Sequence, residues 1–196
     1  MKRNLSLTLF LLLSINLFSQ IHSEQNGLKT TVINVATNGA AAKKFEIATL
    51  GFNSHHWQTG GLVIIELFCS SYQTGYQKYI IEVGYDQGAH TGDPALRLAE
   101  VHGISNAARM SFGTATNLNT EMGGYINKSI PLYLELASYM AYTVKITYLQ
   151  ERVDQVSGLN HIKINENPAG TPIDDFRLDP TLNVDFTTSG NLLVKG

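Results

Sequence analysis

Leu132, Leu134 and Leu136 alternate with Tyr133 and Glu135, and Val144, Ile146 and Tyr148 alternate with Thr143, Lys145 and Thr147. A period of two sends one set of side chains to each face of an extended strand. Each segment therefore has an apolar face to bury and a polar face to wet. The same period recurs upstream. Phe45, Ile47 and Thr49 alternate with Glu46 and Ala48, and Tyr79, Ile81 and Val83 with Ile80 and Glu82. Leu96, Leu98 and Glu100 alternate with Arg97, Ala99 and Val101, and Ala108, Met110 and Phe112 follow Gly103. Leu62 to Phe68 is apolar except for Glu66 and reads as a strand buried on both faces. No stretch holds a 3.6-residue period over three turns. Gly, Asn, Asp and Ser crowd the intervals 53–61, 70–75, 86–94 and 114–124, as turns require. Short strands separated by long loops predict an all-β fold: a jelly-roll-like β-sandwich of about eight short antiparallel strands, with function carried by the loops.

The N-terminus has a different logic. Lys2 and Arg3 precede an apolar run from Leu5 to Phe18, and small residues follow at Ser19 and Ser23. This is the layout of a secretory signal peptide over residues 1–23. The run is short and interrupted by Ser and Asn, which suits a membrane span poorly. The expected location is secreted or cell-surface. Residues 24–44 are polar and small and read as an arm or linker, with a short strand possible at 30–35. Residues 45–152 read as the sandwich. Residues 153–196 read as a loop-rich extension, with Pro168, Pro172 and Pro180, closing in a terminal strand.

Charge narrows the partners. The chain carries a net −2, and loss of Lys2 and Arg3 makes it more acidic. No basic run exists beyond Lys43-Lys44, so nucleic acid is not an expected partner. No second apolar stretch is long enough to span a bilayer. Cys69 is the single cysteine, so no intrachain disulfide is available and the core must hold the fold. Within its apolar run Cys69 reads as a small buried hydrophobe.

Three segments together suggest kinship. Phe45 to Gly51, His55-His56-Trp57 and Gly61 to Leu67 resemble the globular head of phage tail-fibre-like and trimeric fibre-like bacterial surface proteins. The Tyr142 to Tyr148 strand fits the same plan, and Thr188 to Gly196 resembles the linker strand that leads into a stalk. The resemblance spans residues 40–196. It implies a β-sandwich that trimerises and binds a surface glycan or a protein receptor, here ending before the stalk. It carries over no catalytic residue.

Candidate site residues follow from side-chain chemistry. Trp57, in a turn-rich loop beside His55 and His56, offers a stacking platform for a sugar. Tyr72, Tyr76 and Tyr85 cluster with Tyr79 between two strands, and a tyrosine presents a flat apolar body with a polar tip. Asp86, His90 and Asp93 lie within one short loop and are weak candidates for a metal site, lacking the spacing of a calcium loop. No cofactor is expected. Asn127-Lys128-Ser129 has the form of a glycosylation acceptor.

No nucleophile-elbow or zinc-protease motif occurs, and sequence alone places no carboxylate pair across a cleft. The leading expectation is a secreted, non-enzymatic recognition or structural module with Trp57, Tyr72, Tyr76 and Tyr85 at its ligand site. The alternatives are an exported carbohydrate-active hydrolase on the same fold and a subunit of a surface assembly with no soluble ligand. The terminal strand Asn191 to Val194, apolar and without a following turn, points to a homotrimer in which it pairs with another subunit.

Overall fold

The computed structural model describes residues 22–53, 61–72, 74–83, 94–103, 107–174 and 176. These residues form thirteen strands and no helix. The strands lie in two sheets, whose buried faces form one apolar core. The result is the expected two-sheet sandwich.

The first sheet contains β1 (His22–Gln25), β2 (Leu28–Ala36), β10 (Ala141–Tyr148), β4 (Gly61–Cys69), β5 (Gly75–Val83) and β6 (Ala95–Gly103), in that order and antiparallel throughout. The second contains β11 (Glu151–Arg152), β12 (His161–Ile164), β3 (Lys43–Phe52), β9 (Tyr125–Leu136) and β7 (Ala108–Phe112). Also in the second sheet, β13 (Gly170–Pro172) pairs with β3, and β8 (Thr116–Met122) pairs with β9. Pro131 sits in β9 where β7 gives way to β8, a gap in the ladder that tolerates its missing N–H.

Alternation places the core as the sequence predicts in the cleanest strands. Leu132, Leu134 and Leu136, and Val144, Ile146 and Tyr148, are fully buried. Glu135, on the opposite parity, is also buried. Its cross-strand neighbours Arg109 and Lys44 both bring their cations to its carboxylate, Lys44 at 3.5 Å. A buried charge needs such partners.

Two strands change phase midway. Opposite β9, β3 has a bulge between Glu46 and Ala48, so burial passes from Phe45 and Ile47 to Ala48, Leu50 and Phe52. Thr49, expected to share a face with Phe45, lies on the other side. An extra residue in one strand reverses every later facing. In β6 the register shifts opposite Lys78 and Tyr79, and Val101 rather than Glu100 turns toward the core alongside Leu98. The expectation of two-sided burial for β4 is corrected. Val63, Ile65 and Leu67 are buried, whereas Leu62 and Phe68 are exposed on the outer face.

The segment expected as an arm is built into the first sheet. β2 pairs with β10 along eight residues and buries Ile33 and Val35. The chain enters β2 through Asn26-Gly27, a two-residue hairpin loop with both φ angles positive, +53° and +78°. Asn-Gly is the residue pair that type I′ hairpin turns select. The 114–124 interval likewise holds a strand. β8 and the start of β9 form an exposed hairpin closed by Gly123-Gly124, again with both φ angles positive. From the expected C-terminal extension, β12 and β13 pair with β3, and Ile162 and Ile164 join the core.

Candidate functional site

Three connections meet at one end of the sandwich: residues 37–42 after β2, 70–72 after β4, and 137–140 between β9 and β10. They border a depression of about 410 Å³ lined by Asn38, Gly39, Ser71, Tyr72, Tyr139 and Met140, together with Ala141 at the start of β10. Asn38, Tyr72 and Tyr139 all hold left-handed backbone, with φ of +49°, +58° and +60°. Asparagine visits this region readily, but a bulky residue seldom does. A tyrosine held there costs on the order of 1–3 kcal/mol, and such strain gathers at functional sites.

The surroundings hold these residues in place. Buried Thr37 donates its N–H to the Met140 carbonyl at 3.0 Å, and its hydroxyl accepts the Met140 N–H at 2.9 Å. The Tyr139 N–H donates to the Gly39 carbonyl at 2.9 Å. Ser70 N–H donates to Ala141 C=O, and the Ser71 hydroxyl accepts the Ala141 N–H, both at 2.9 Å. Cys69 is partly buried against the core, with its thiol donating to the Ser71 carbonyl at 3.4 Å. Gly103, at φ +87°, lies so close to the Thr74 carbonyl that a Cβ there would approach to 2.4 Å. The backbone is thus fixed while the two tyrosine side chains stand free in solvent, Tyr72 85% and Tyr139 56% exposed.

A second depression of about 540 Å³ adjoins the first and shares Asn38 and Ala141 with it. Asn34, Val35 and Ala36 at the end of β2 border it, beyond Thr31, the last β2 residue to pair with the described part of β1. Asn34, Phe45, Asn167 and Pro168 contribute to its walls. The Asn34 Oδ1 accepts the Thr143 hydroxyl at 2.9 Å, and its amide N–H groups have no partner among the described residues. No Asp, Glu, Lys, Arg or His is among the described residues lining either depression.

The tyrosines that cluster in sequence part company in space. Tyr72 lines the first depression. Tyr79 faces inward and is buried, and burial pushes its hydroxyl above the usual range despite a bond to the Met110 backbone and the nearby Arg109 charge. Tyr76 faces out from the first sheet, with its ring between its cross-strand neighbours Phe68 (5.2 Å) and His102 (6.0 Å). Its hydroxyl donates to Glu66 at 3.1 Å. Desolvation first, then that bond and the charges of Glu66 and Glu100, push its pKa up to about 12. Tyr76 therefore belongs to a strip on the sheet's outer face. Beside it, Lys145, Glu66, Lys78 and Glu100 form a cross-strand row of alternating charge, with Lys145–Glu66 at 2.7 Å and Lys78–Glu100 at 3.0 Å.

Trp57 and Tyr85, with His55 and His56, lie outside the described residues, as do Asp86, His90, Asp93 and the strand Asn191 to Val194. The strand ends that flank 54–60 and 84–93 are described. Gly61 pairs with Val83 at one end of the β4–β5 hairpin, and Cys69 with Gly75 at the other. Those ends stand about 26 Å apart at the rise of an extended strand. Among the described residues no group of three or more His, Cys, Asp or Glu is placed to hold a metal ion. Among the described residues no helix is long and apolar enough to cross a membrane. Asn127 is buried, accepting from Asn53 at 2.9 Å and donating to Thr120 at 3.0 Å, so the folded chain does not offer it for glycosylation.

Sequence reasoning missed Tyr139, Asn38 and the β2 edge. Ser138-Tyr139-Met140 looks like the tail of the β9 repeat, and nothing in it announces left-handed backbone. Asn38-Gly39 was the available signal, since that pair favours positive φ. No family model, no curated protein and no solved structure matches the chain.

Proposed function

We propose that this chain is an exported, non-enzymatic recognition module that binds a glycan or protein receptor through the end of the sandwich where Tyr72 and Tyr139 stand. One observation carries the reading. Two exposed tyrosines are held in left-handed backbone on either side of a depression whose walls are tied together by hydrogen bonds. Fixed backbone beneath exposed rings gives contact area at little cost in entropy, which is how tyrosine serves binding surfaces. Hydrolysis of a glycoside asks for two facing carboxyl groups, and the described lining of this end supplies none. The resemblance to fibre heads supports the same reading and extends it to a homotrimer, which sedimentation equilibrium at tens of micromolar tests directly.

The discriminating experiment replaces Tyr72 and Tyr139 by glycine. Glycine accepts positive φ without strain, although it loses more entropy on folding than other residues. Each variant is expected to melt within a few degrees of the parent. Both are expected to lose binding to a glycan array and to cell envelopes. Unchanged binding with both rings removed would refute the site.

A further inference from the structure

We infer that the two adjoining depressions are consecutive subsites for a neutral oligosaccharide, with Tyr72 and Tyr139 stacking on one sugar and the β2 edge with Asn34 and Asn167 hydrogen-bonding the next. The inference rests on the proposed binding role of the Tyr72–Tyr139 end and names its ligand class.

Four features of the surface agree on that class. First, the depressions are neighbours, with Asn38 and Ala141 bordering both. Together they suit a ligand longer than one sugar ring, since each has a volume of a few hundred cubic ångströms, about 410 and 540 Å³. Second, the described lining carries no Asp, Glu, Lys, Arg or His. A sulfated or carboxylated sugar would give up part of its hydration there without gaining a counter-charge, which favours a neutral one. Third, the polar groups that are present are the kind that read hydroxyls. Asn34 and Asn167 offer amides, and β2 from Val32 to Ala36 has no second neighbour among the described strands. Along that edge, backbone N–H and C=O groups alternate toward the groove. Such a set both donates and accepts, as a sugar hydroxyl does. Fourth, the rings stand at one end only, so the apolar face of one sugar meets tyrosine while the next sugar meets amides.

An extended peptide also pairs with a free strand edge. Here Pro168 crowds that edge together with Asn167, and the strained tyrosines lie beyond the end of the strand. A peptide ladder along β2 would make no use of them.

Calorimetry of the mature chain supplies the test. The probes are glucose, maltotriose, cellotriose, mannotriose and galactotriose, with sialyllactose and a hyaluronan tetrasaccharide as acidic comparators. At least one neutral trisaccharide is expected to bind tenfold or more tightly than its monosaccharide, a difference of about 1.4 kcal/mol. Binding should hardly change between low and high salt, and the acidic probes should not bind. Asn34→Ala and Asn167→Ala are expected to lower trisaccharide affinity about tenfold and leave monosaccharide affinity unchanged. Tyr139→Gly should abolish both. If Tyr139→Gly removes binding but trisaccharide and monosaccharide bind alike, the second subsite is wrong and the Tyr72–Tyr139 site stands. If sugars bind and Tyr139→Gly changes nothing, the site itself is wrong. A preference for the acidic probes, or no binding to any probe, overturns the neutral-glycan assignment. So does binding to cell envelopes that survives periodate and is destroyed by protease, which would mark a protein receptor.

Discussion

The two halves of β2 border contrasting surfaces. Its first half, Leu28 to Thr31, is covered by β1 and borders a hollow of about 510 Å³ lined by His22, Glu24, Lys29, Arg152, Val153 and Asp154. Its second half has no such cover among the described residues and borders the neutral groove. Lys29 and Ala36 mark positions about 23 Å apart along one strand. Both halves pair with β10 and bury the same face in the same core. The scaffold is therefore common, and the difference lies in what flanks it. In the charged hollow the Arg152 cation is already paired. Arg152 pairs with Glu166 and comes within 3.4 Å of His22, whose ring also meets Thr31. The neutral groove keeps its backbone bonds internal and leaves its rings and amides facing water. A paired cation such as Arg152 has little left to offer a ligand, whereas exposed rings and amide N–H groups do.

A shared core makes the strongest prediction. Leu134, toward the groove, and Leu50, toward the opposite end of β3, are both fully buried. Leu134→Ala and Leu50→Ala should each cost about 2–5 kcal/mol, the transfer term plus the cavity left behind. Each should melt the chain in a single transition. Two transitions in denaturant would mean that the halves fold separately, and the comparison would have to be redrawn between domains.

Next in size is the clasp beneath the groove. Thr37→Val keeps the shape and deletes the hydroxyl that accepts the Met140 N–H. An unpaired buried donor costs about 1–3 kcal/mol. Because Met140 follows Tyr139, the same change should weaken groove binding while the ion pair between Arg152 and Glu166 is untouched. Loss of stability with full binding would show that Tyr139 does not depend on the clasp.

Each end also carries a buried glutamine whose side-chain amide has no partner among the described residues: Gln77, opposite Leu67 and Val101, and Gln150, against Gly61. Gln77→Met and Gln150→Met fill similar space without the polar atoms and should each add about 1 kcal/mol. Urea melts measure this, and a loss of stability would show that these amides have partners in solution.

How much of this was legible in the chain depends on whether one local rule governed each segment. β9 and β10 alternate strictly, and their facing follows from sequence. β3 and β6 alternate too, but a bulge resets the phase, and only the partner strand fixes where a bulge falls. β1, β8 and the start of β9 have almost nothing to bury, so they read as loops although their Asn-Gly and Gly-Gly turns mark hairpins. Tyr72 was visible as an aromatic residue in a turn. Its pairing with Tyr139 joins connections 67 positions apart in the chain, which no local pattern encodes.

Acidity separates the outer face of the first sheet from the groove. Desolvation alone would raise the Glu66 pKa. The hydrogen bonds from Lys145 and Tyr76, with the charges of Lys145 and Lys78, outweigh it and hold the carboxyl below its ordinary 4.5. A group whose pKa is lowered on folding stabilises above its unfolded value, and that contribution fades as pH falls through the folded one. Stability should therefore drop below pH 4.5, and Glu66→Gln should flatten that drop. The opposite sign holds for Tyr76, raised from 10.0 to about 12. Its contribution is complete below pH 10 and fades toward 12, and Tyr76→Phe should remove that alkaline loss. Groove binding, without Asp, Glu, Lys, Arg or His in its described lining, should stay level between about pH 5 and pH 9. A binding curve that follows the stability curve would place a titrating group in the site.

The smallest expected effect lies in the covered half of β2 and bears on export. A signal peptidase cut near residue 20 would leave β1 whole, whereas a cut after Ser23 would remove two of its four pairs, His22 with Thr31 and Ser23 with Thr30. The second cut would also take His22 from the charged hollow. Since His22 and Ser23 pair with Thr31 and Thr30, mass spectrometry of exported protein should find an N-terminus that keeps both residues. All four residues of β1 are exposed, so its loss should be mild. Chains starting at Gln20 and at Glu24 should differ by no more than about 0.5 kcal/mol, the usual range for surface changes. Hydrogen exchange reads the difference more sharply. The amide of Thr30, which faces β1, should exchange faster in the shorter chain, while those of Ile33 and Val35, which face β10, should not change. Equal protection in both chains would mean that β1 contributes no ladder in solution, and both halves of β2 would then be open edges.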